Sequence, residues 1–116
     1  MCHVLVIEDE WLLAEHVSDI AQRAGATSVV TADCEADAIE AAALRKPDII
    51  LSDVLLASGT GPHAVQAIMQ QGGAIPVIFI TGTPEACDPC DPPAVIFGKP
   101  IDERAVIAAF RELAPV

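Results

Sequence analysis

Val4-Leu5-Val6-Ile7-Glu8-Asp9-Glu10 is a run of four aliphatic residues stopped by three acids. Two of the four are Val and one is Ile, which suits a strand, and no polar residue alternates with them. A strand with one wet face alternates apolar and polar residues. A continuous apolar run marks a strand covered on both faces, as in a parallel sheet. Similar runs recur along the chain. Val29-Val30 lies inside Thr27 to Thr31, Ile49-Ile50-Leu51 leads into Ser52-Asp53, Val77-Ile78-Phe79-Ile80 leads into Thr81, and Val95-Ile96-Phe97 stops shortly before Lys99-Pro100.

Helical patterns fill the gaps. Leu13, Val17, Ile20 and Ala24 share one face, with Gly25 as a stop. Asp33 to Arg45 is Ala-rich and is closed by Pro47. Pro62 opens a helix carrying Val65, Ile68 and Met69. Asp102 caps a last helix through Ala105, Val106, Ala109, Phe110 and Leu113. Strands and helices thus alternate about five times, predicting an α/β domain with a parallel sheet and helices on both faces. Between Thr81 and Val95 stand Pro84, Pro89, Pro92 and Pro93, so the fourth helix is expected to be short or irregular.

With 116 residues, 53% of them hydrophobic, the chain makes one core and one domain, residues 1–116. Six basic residues against seventeen acidic ones, a net charge of -11, argue against contact with nucleic acid. No apolar run reaches the ~18 residues of a membrane span. The opening Met1-Cys2-His3 lacks the features of a signal peptide. The four cysteines are too few and too irregular for a secreted disulfide framework, and a cytoplasmic location is expected.

In an open parallel sheet, ligands bind beyond the carboxyl ends of the strands. The residues at those ends are Glu8 and Asp9, Asp53, Thr81 and Lys99. Taken singly, each has a plain structural reading. Asp9 fits a helix N-cap with Glu10 in the first turn, Asp53 a loop cap, Thr81 a strand end and Lys99 a surface charge. Taken together they make one chemistry. Clustered carboxylates repel unless a hard divalent cation holds them, and Mg²⁺ is bound by one or two carboxylates plus phosphate oxygens and water. A carboxylate can then attack a phosphoryl group and form an aspartyl phosphate. Lys99 can offset charge on the transferring group, and the Thr81 hydroxyl can bond a phosphoryl oxygen.

This ordered set, with Gly61 eight residues after Asp53, resembles the receiver domains of response regulators over essentially the whole chain. The resemblance implies a flavodoxin-like (βα)5 fold, a doubly wound five-stranded parallel sheet of order 2-1-3-4-5. It implies Mg²⁺ held by Glu8, Asp9, Asp53 and the backbone carbonyl of Leu55. It implies phosphoryl transfer onto Asp53 from a histidine kinase or histidine phosphotransfer protein, with Lys99 contacting the phosphoryl group and Thr81 reporting it. Pro76 to Glu85, containing Phe79-Ile80-Thr81-Gly82, is similar to an alphaproteobacterial Phe-x-Thr-Gly subgroup and to the receivers of general stress-response regulators. Ile96 stands where most receivers carry an aromatic switch residue, and Phe97 falls on the opposite strand face. Any phosphorylation signal is therefore expected as ordering or shifting of residues 82–96. The chain ends at Val116, just after its last helix, so a single-domain regulator without an output domain is expected. It would signal by binding an unknown downstream protein or drain phosphate from a relay, catalysing only its own phosphorylation and dephosphorylation.

Three rivals remain. A degenerate receiver would bind partners without phosphate. A Mg²⁺-dependent phosphohydrolase would need a further acid or base beside Asp53, where Val54, Leu55 and Leu56 follow instead. Cys87-Asp88-Pro89-Cys90 would make a redox or metal module only with more ligands or an activated thiol. Packing is the expected role of Trp11, His16 and His63 are expected to be solvated or lightly packed, and Cys2 and His3 are expected at the far end of the sheet.

Overall fold

The structure is a computed structural model, and it describes residues 1–82 and 94–116. Five strands form a single sheet: β1 (His3–Ile7), β2 (Ser28–Ala32), β3 (Ile49–Ser52), β4 (Val77–Thr81) and β5 (Ala94–Gly98). Their order is β2-β1-β3-β4-β5, and every pairing is parallel. Four helices are present among the described residues: α1 (Trp11–Ala24), α2 (Glu35–Leu44), α3 (Gly61–Gly72) and α4 (Glu103–Leu113). The expected irregular fourth helix and the Cys87–Cys90 pair lie outside the described residues.

The continuous apolar runs are explained by a core on each side of the sheet. Val4, Val6, Leu51, Ile78 and Ile80 pack against α1 and α4, around Val17, Ile20, Val106 and Phe110. Leu5, Ile7, Ile50, Val77 and Phe79 pack against α2 and α3, around Ala38, Ala64, Val65 and Ile68. Successive strand residues point to opposite faces. Both sets must therefore be apolar, and β1, β3 and β4 are buried along their whole length. Edge strand β2 is only partly covered.

Helix boundaries follow local chemistry. Gly25, with φ of 124°, ends α1, and its N–H returns to the last-turn carbonyls. Thr60 caps α3 by accepting the His63 N–H at 3.3 Å, and Asp102 caps α4 by accepting the Ala105 N–H at 3.2 Å. α2 is shorter at both ends than the Asp33 to Arg45 pattern, starting at Glu35 and stopping at Leu44. On the surface, Arg23 and His16 of α1 meet Glu103 of α4 at 2.6 and 2.9 Å, a half-exposed linkage that contributes little stability. His3 is buried at the amino end of β1 with Nδ1 2.8 Å from Ser28 Oγ, at the opposite end from the acids, as expected.

Candidate functional site

The strand order reverses at β1, which has β2 on one side and β3 on the other. The crevice of an open α/β sheet lies at such a point, beyond the carboxyl ends. Register decides what meets there. Ile7 pairs with Ser52, and the Asp53 N–H donates to the Ile7 carbonyl at 2.9 Å. Glu8 and Asp53, each one residue past its strand, are thereby set side by side. Asp9 follows in the same loop. One carboxylate oxygen from each of Glu8, Asp9 and Asp53 lies within 4.8 Å of the others.

Lys99 arrives from the far side. Thr81 pairs with Gly98, and the Lys99 N–H donates to the Thr81 carbonyl at 3.0 Å. Its ammonium then sits 3.1 Å from Asp53 Oδ2 and 3.5 Å from Glu8 Oε1. The Lys99–Pro100 peptide is cis. The structure thus brings together Glu8, Asp9, Asp53 and Lys99, and it places Thr81, fully buried, at the end of the strand beside Lys99. Leu55 lies in the loop after Asp53, paired with Thr60 in a single antiparallel bridge.

The acids are not equivalent. Glu8 is only 5% exposed, and burial pushes its carboxyl up to about 7. The Asp9 side chain and the Asp53 charge push the same way, against the Glu10 N–H and Lys99. Asp53 keeps one oxygen on the Val54 N–H at 2.7 Å and the other on Lys99. Asp9 is exposed, and its Oδ2 accepts the Ala57 N–H at 2.8 Å. Burial pulls the Lys99 ammonium down, but the Asp53 hydrogen bond and the charges of Glu8 and Asp53 outweigh it, leaving it raised.

One expectation, the packing of Trp11, is corrected, and the plain structural alternative for Asp9 is set aside. Asp9 is not the N-cap of α1. Glu10 occupies that position without a side-chain cap bond, and this leaves the Asp9 carboxylate to reach the β3–α3 loop. Trp11 is not packed but 67% exposed. Val17 marks the core-facing line of α1, and 100° per residue turns Trp11 about 120° away from it. Sequence reasoning also missed Ser52, buried beneath the site with its hydroxyl donating to the Asp53 carbonyl at 2.7 Å. Its only signal was a polar residue inside an apolar strand. Gly61 was noted for its spacing alone. A Cβ there would overlap the Asp53 carbonyl oxygen and the Ser52 hydroxyl. On β5, Phe97 packs on the α1/α4 core while Ile96 is 41% exposed, so the two face opposite ways as expected.

The buried acid predicts a pH dependence. Folded Glu8 holds its proton to about 7, whereas an unfolded chain releases it near the ordinary 4.5. The raised value means that folding binds a proton between these limits. Stability of the metal-free protein should therefore fall as pH rises from about 4.5 to 7, by roughly 3 kcal/mol, and flatten above. Urea denaturation in chelator, wild type beside Glu8→Gln, checks this. The variant should lose the slope.

A profile of the family described as the response regulator receiver domain matches residues 4–90. The chain belongs to this family. Its role is signalling rather than conventional substrate turnover. The receiver domain is 35% identical over 78 residues, 67% of its length, to the probable transcriptional regulatory protein TcrX of Mycobacterium tuberculosis. It is 31% identical over 113 residues, 94% of its length, to the phyllosphere-induced regulator PhyR of Methylorubrum extorquens. It spans 33% and 42% of those two proteins. The solution structure of the receiver domain of PhyR from Erythrobacter litoralis superposes with a TM-score of 0.85 at 34% identity, over 97% of this chain and 88% of that one. The flavodoxin-like fold is thus shared with known proteins, and the likeness to PhyR receivers runs over nearly the whole chain. Among the described residues, no helix is long and apolar enough to cross a membrane.

Proposed function

We propose that this receiver domain takes a phosphoryl group onto Asp53 from a histidine kinase or histidine phosphotransfer protein. The observation that carries the reading is the Lys99 ammonium, 3.1 Å from Asp53 Oδ2 and 3.5 Å from Glu8 Oε1, beside three converging carboxylates. One lysine cannot balance three acids. Burial of Glu8 makes the surplus costly, and its raised pKa is the mark of that cost. A hard divalent cation fits this oxygen set, and Glu8, Asp9, Asp53 and the Leu55 carbonyl are the groups that would hold Mg²⁺. When bound, Mg²⁺ supplies charge neutralisation to the transferring phosphoryl oxygens.

The chain's own residues do the rest. An Asp53 carboxylate oxygen forms a bond to phosphorus as the bond from phosphorus to the donor imidazole nitrogen breaks, and the leaving imidazole keeps the electron pair. Lys99 is poised to offset charge on the phosphoryl oxygens, and the Thr81 hydroxyl is the group that senses them. Trp11 and Leu12, both exposed just past Asp9, offer an apolar rim against which a donor protein can seat. The signal passes by binding of a downstream protein, or the domain drains phosphate from a relay. The net charge of -11 argues against nucleic acid as that partner.

The test is incubation with Mg²⁺ and acetyl phosphate, or with a beryllium fluoride phosphoryl mimic, followed by mass spectrometry or amide NMR. Wild type should gain a labile adduct and Asp53→Ala none. A wild type that neither gains the adduct nor binds Mg²⁺ returns the domain to the phosphate-independent class. Steady turnover of a small phosphate ester points to a hydrolase.

A further inference from the structure

Residues 54–61 close into a tight loop between β3 and α3. Leu55 bridges to Thr60, the Leu56 N–H donates to the Gly59 carbonyl at 3.3 Å, and the Gly61 N–H donates to the Val54 carbonyl at 2.8 Å. The loop is gripped from two sides. On one side Asp9 Oδ2 accepts the Ala57 N–H at 2.8 Å. On the other stands Glu35, the first residue of α2. Its Oε2 accepts the Thr60 N–H at 3.2 Å, its Oε1 lies 3.2 Å from His63 Nδ1, and its own N–H donates to the Ser58 carbonyl at 3.3 Å. Gly59 has φ of +85°, and a Cβ there would overlap the Glu35 carboxylate and come 2.7 Å from its Cβ. The return limb of the loop is thus moulded onto one side chain.

We propose that Glu35 is a positioning residue that sets the Mg²⁺ affinity of the site by holding this loop in place. The inference rests on the reading of Glu8, Asp9, Asp53 and the Leu55 carbonyl as the metal site. The two grips differ in one respect. Asp9 is itself one of the acids that would hold the cation, whereas the Glu35 carboxylate is engaged with Thr60 and His63. Glu35 is the anchor, outside the metal's own ligand set, that keeps Leu55 in register through its Thr60 partner. Losing that anchor adds loop ordering to the cost of metal binding. Once the cation is bound, the geometry around Asp53 is the same, so the effect falls on affinity and spares the saturated rate.

The experiment is a Mg²⁺ titration of the whole chain followed by amide NMR. Acetyl phosphate uptake is measured at low and saturating Mg²⁺, and thermal melts accompany each variant. Glu35→Ala should weaken Mg²⁺ about tenfold, the scale of one lost hydrogen bond to a charged group. Uptake at saturating Mg²⁺ should stay within about twofold of wild type. Glu35→Asp keeps a negative charge in the first turn of α2, so the helix is not weakened there, but it is one methylene too short. It should match Glu35→Ala. Glu35→Gln retains an oxygen for the Thr60 N–H and should restore affinity to within about threefold of wild type. An unchanged Mg²⁺ affinity in Glu35→Asp overturns the inference, as does a fall in the saturated rate alone, or a Gln variant as weak as Ala. A wild type that binds Mg²⁺ and takes up phosphoryl beside an unaffected Asp variant sinks this inference only. A wild type that does neither sinks the metal-site reading and this inference with it.

Discussion

Lys99→Ala is expected to move metal binding and phosphoryl uptake in opposite directions. In the metal-free protein the Lys99 ammonium is the cation nearest the acids, 3.1 Å from Asp53 and 3.5 Å from Glu8. A second cation entering the site is repelled by it and competes with it for the same oxygens. Removing Lys99 removes that repulsion, so the variant should bind Mg²⁺ more tightly than wild type. The effect should be largest at low salt, where such charges are least screened. Phosphoryl uptake should fall. The ammonium donates to Asp53 Oδ2, and the Lys99 backbone N–H is tied to the Thr81 carbonyl, so the group is in place before charge develops on the transferring group. Losing a preorganised group of this kind costs about 10²–10³ in rate. Titrating Mg²⁺ by NMR and timing acetyl phosphate uptake at saturating Mg²⁺ measures both halves. Weaker Mg²⁺ binding with unchanged uptake would mean that Lys99 supports the fold and takes no part in the chemistry. The metal-free variant should also be less stable, because Glu8 and Asp53 then face each other without a cation.

The contrast between Lys99 and Glu35 shows what a sequence can and cannot display. Lys99 was legible because position in a parallel sheet is nearly one-dimensional. A strand covered on both faces reads as an apolar run, and the first polar residues beyond it must lie at its carboxyl end. Glu8, Asp9, Asp53 and Lys99 were found in this way, and the structure brings all four together. Strand order added what no single run contains. It set Ile7 beside Ser52, and hence Glu8 beside Asp53. Glu35 was not legible. In sequence it is an ordinary acid in the first turn of a helix, favoured there by the dipole. Its grip on Thr60 joins residues 25 apart through a loop with no periodicity. Gly59 was visible, but the side chain it makes room for was not. Trp11 failed for a related reason. One residue at the start of a helix has too few neighbours on its face for a pattern to decide which way it points. Asp9 was found as a site acid, but its bond to the Ala57 N–H was not legible, because a backbone partner leaves no mark on the sequence. The readout expected in residues 82–96 rests largely on residues outside those described.

Gly61→Ala should be strongly damaging, and its sign is the informative part. Gly61 is the first residue of α3, where Ala is ordinarily the better helix former by about 1 kcal/mol. Helix propensity alone therefore predicts a gain. The site predicts a loss, because the new Cβ would fall on the Asp53 carbonyl oxygen and the Ser52 hydroxyl. The hydroxyl can rotate away, though it then gives up its 2.7 Å bond to the Asp53 carbonyl. The carbonyl cannot move without carrying the Asp53 backbone, and the carboxylate, with it. Overpacking of this kind costs about 1–3 kcal/mol, and a displacement near 1 Å at a reacting group can cost about 10² in rate. The Gly61 N–H bond to the Val54 carbonyl, 2.8 Å long, resists relief from the other side. Gly72, at the end of the same helix, is the control. A Cβ there meets only Lys46 carbons at 3.8 Å, an ordinary contact. Gly72→Ala should be neutral or stabilising, and it should take up phosphoryl as wild type does. Urea denaturation and acetyl phosphate uptake on the two variants separate the explanations. If Gly61→Ala is as stable and as reactive as Gly72→Ala, the close approach of α3 to Asp53 has no part in holding the acceptor carboxylate. If it loses uptake while Gly72→Ala does not, the eight-residue interval from Asp53 to Gly61 is a steric requirement of the site.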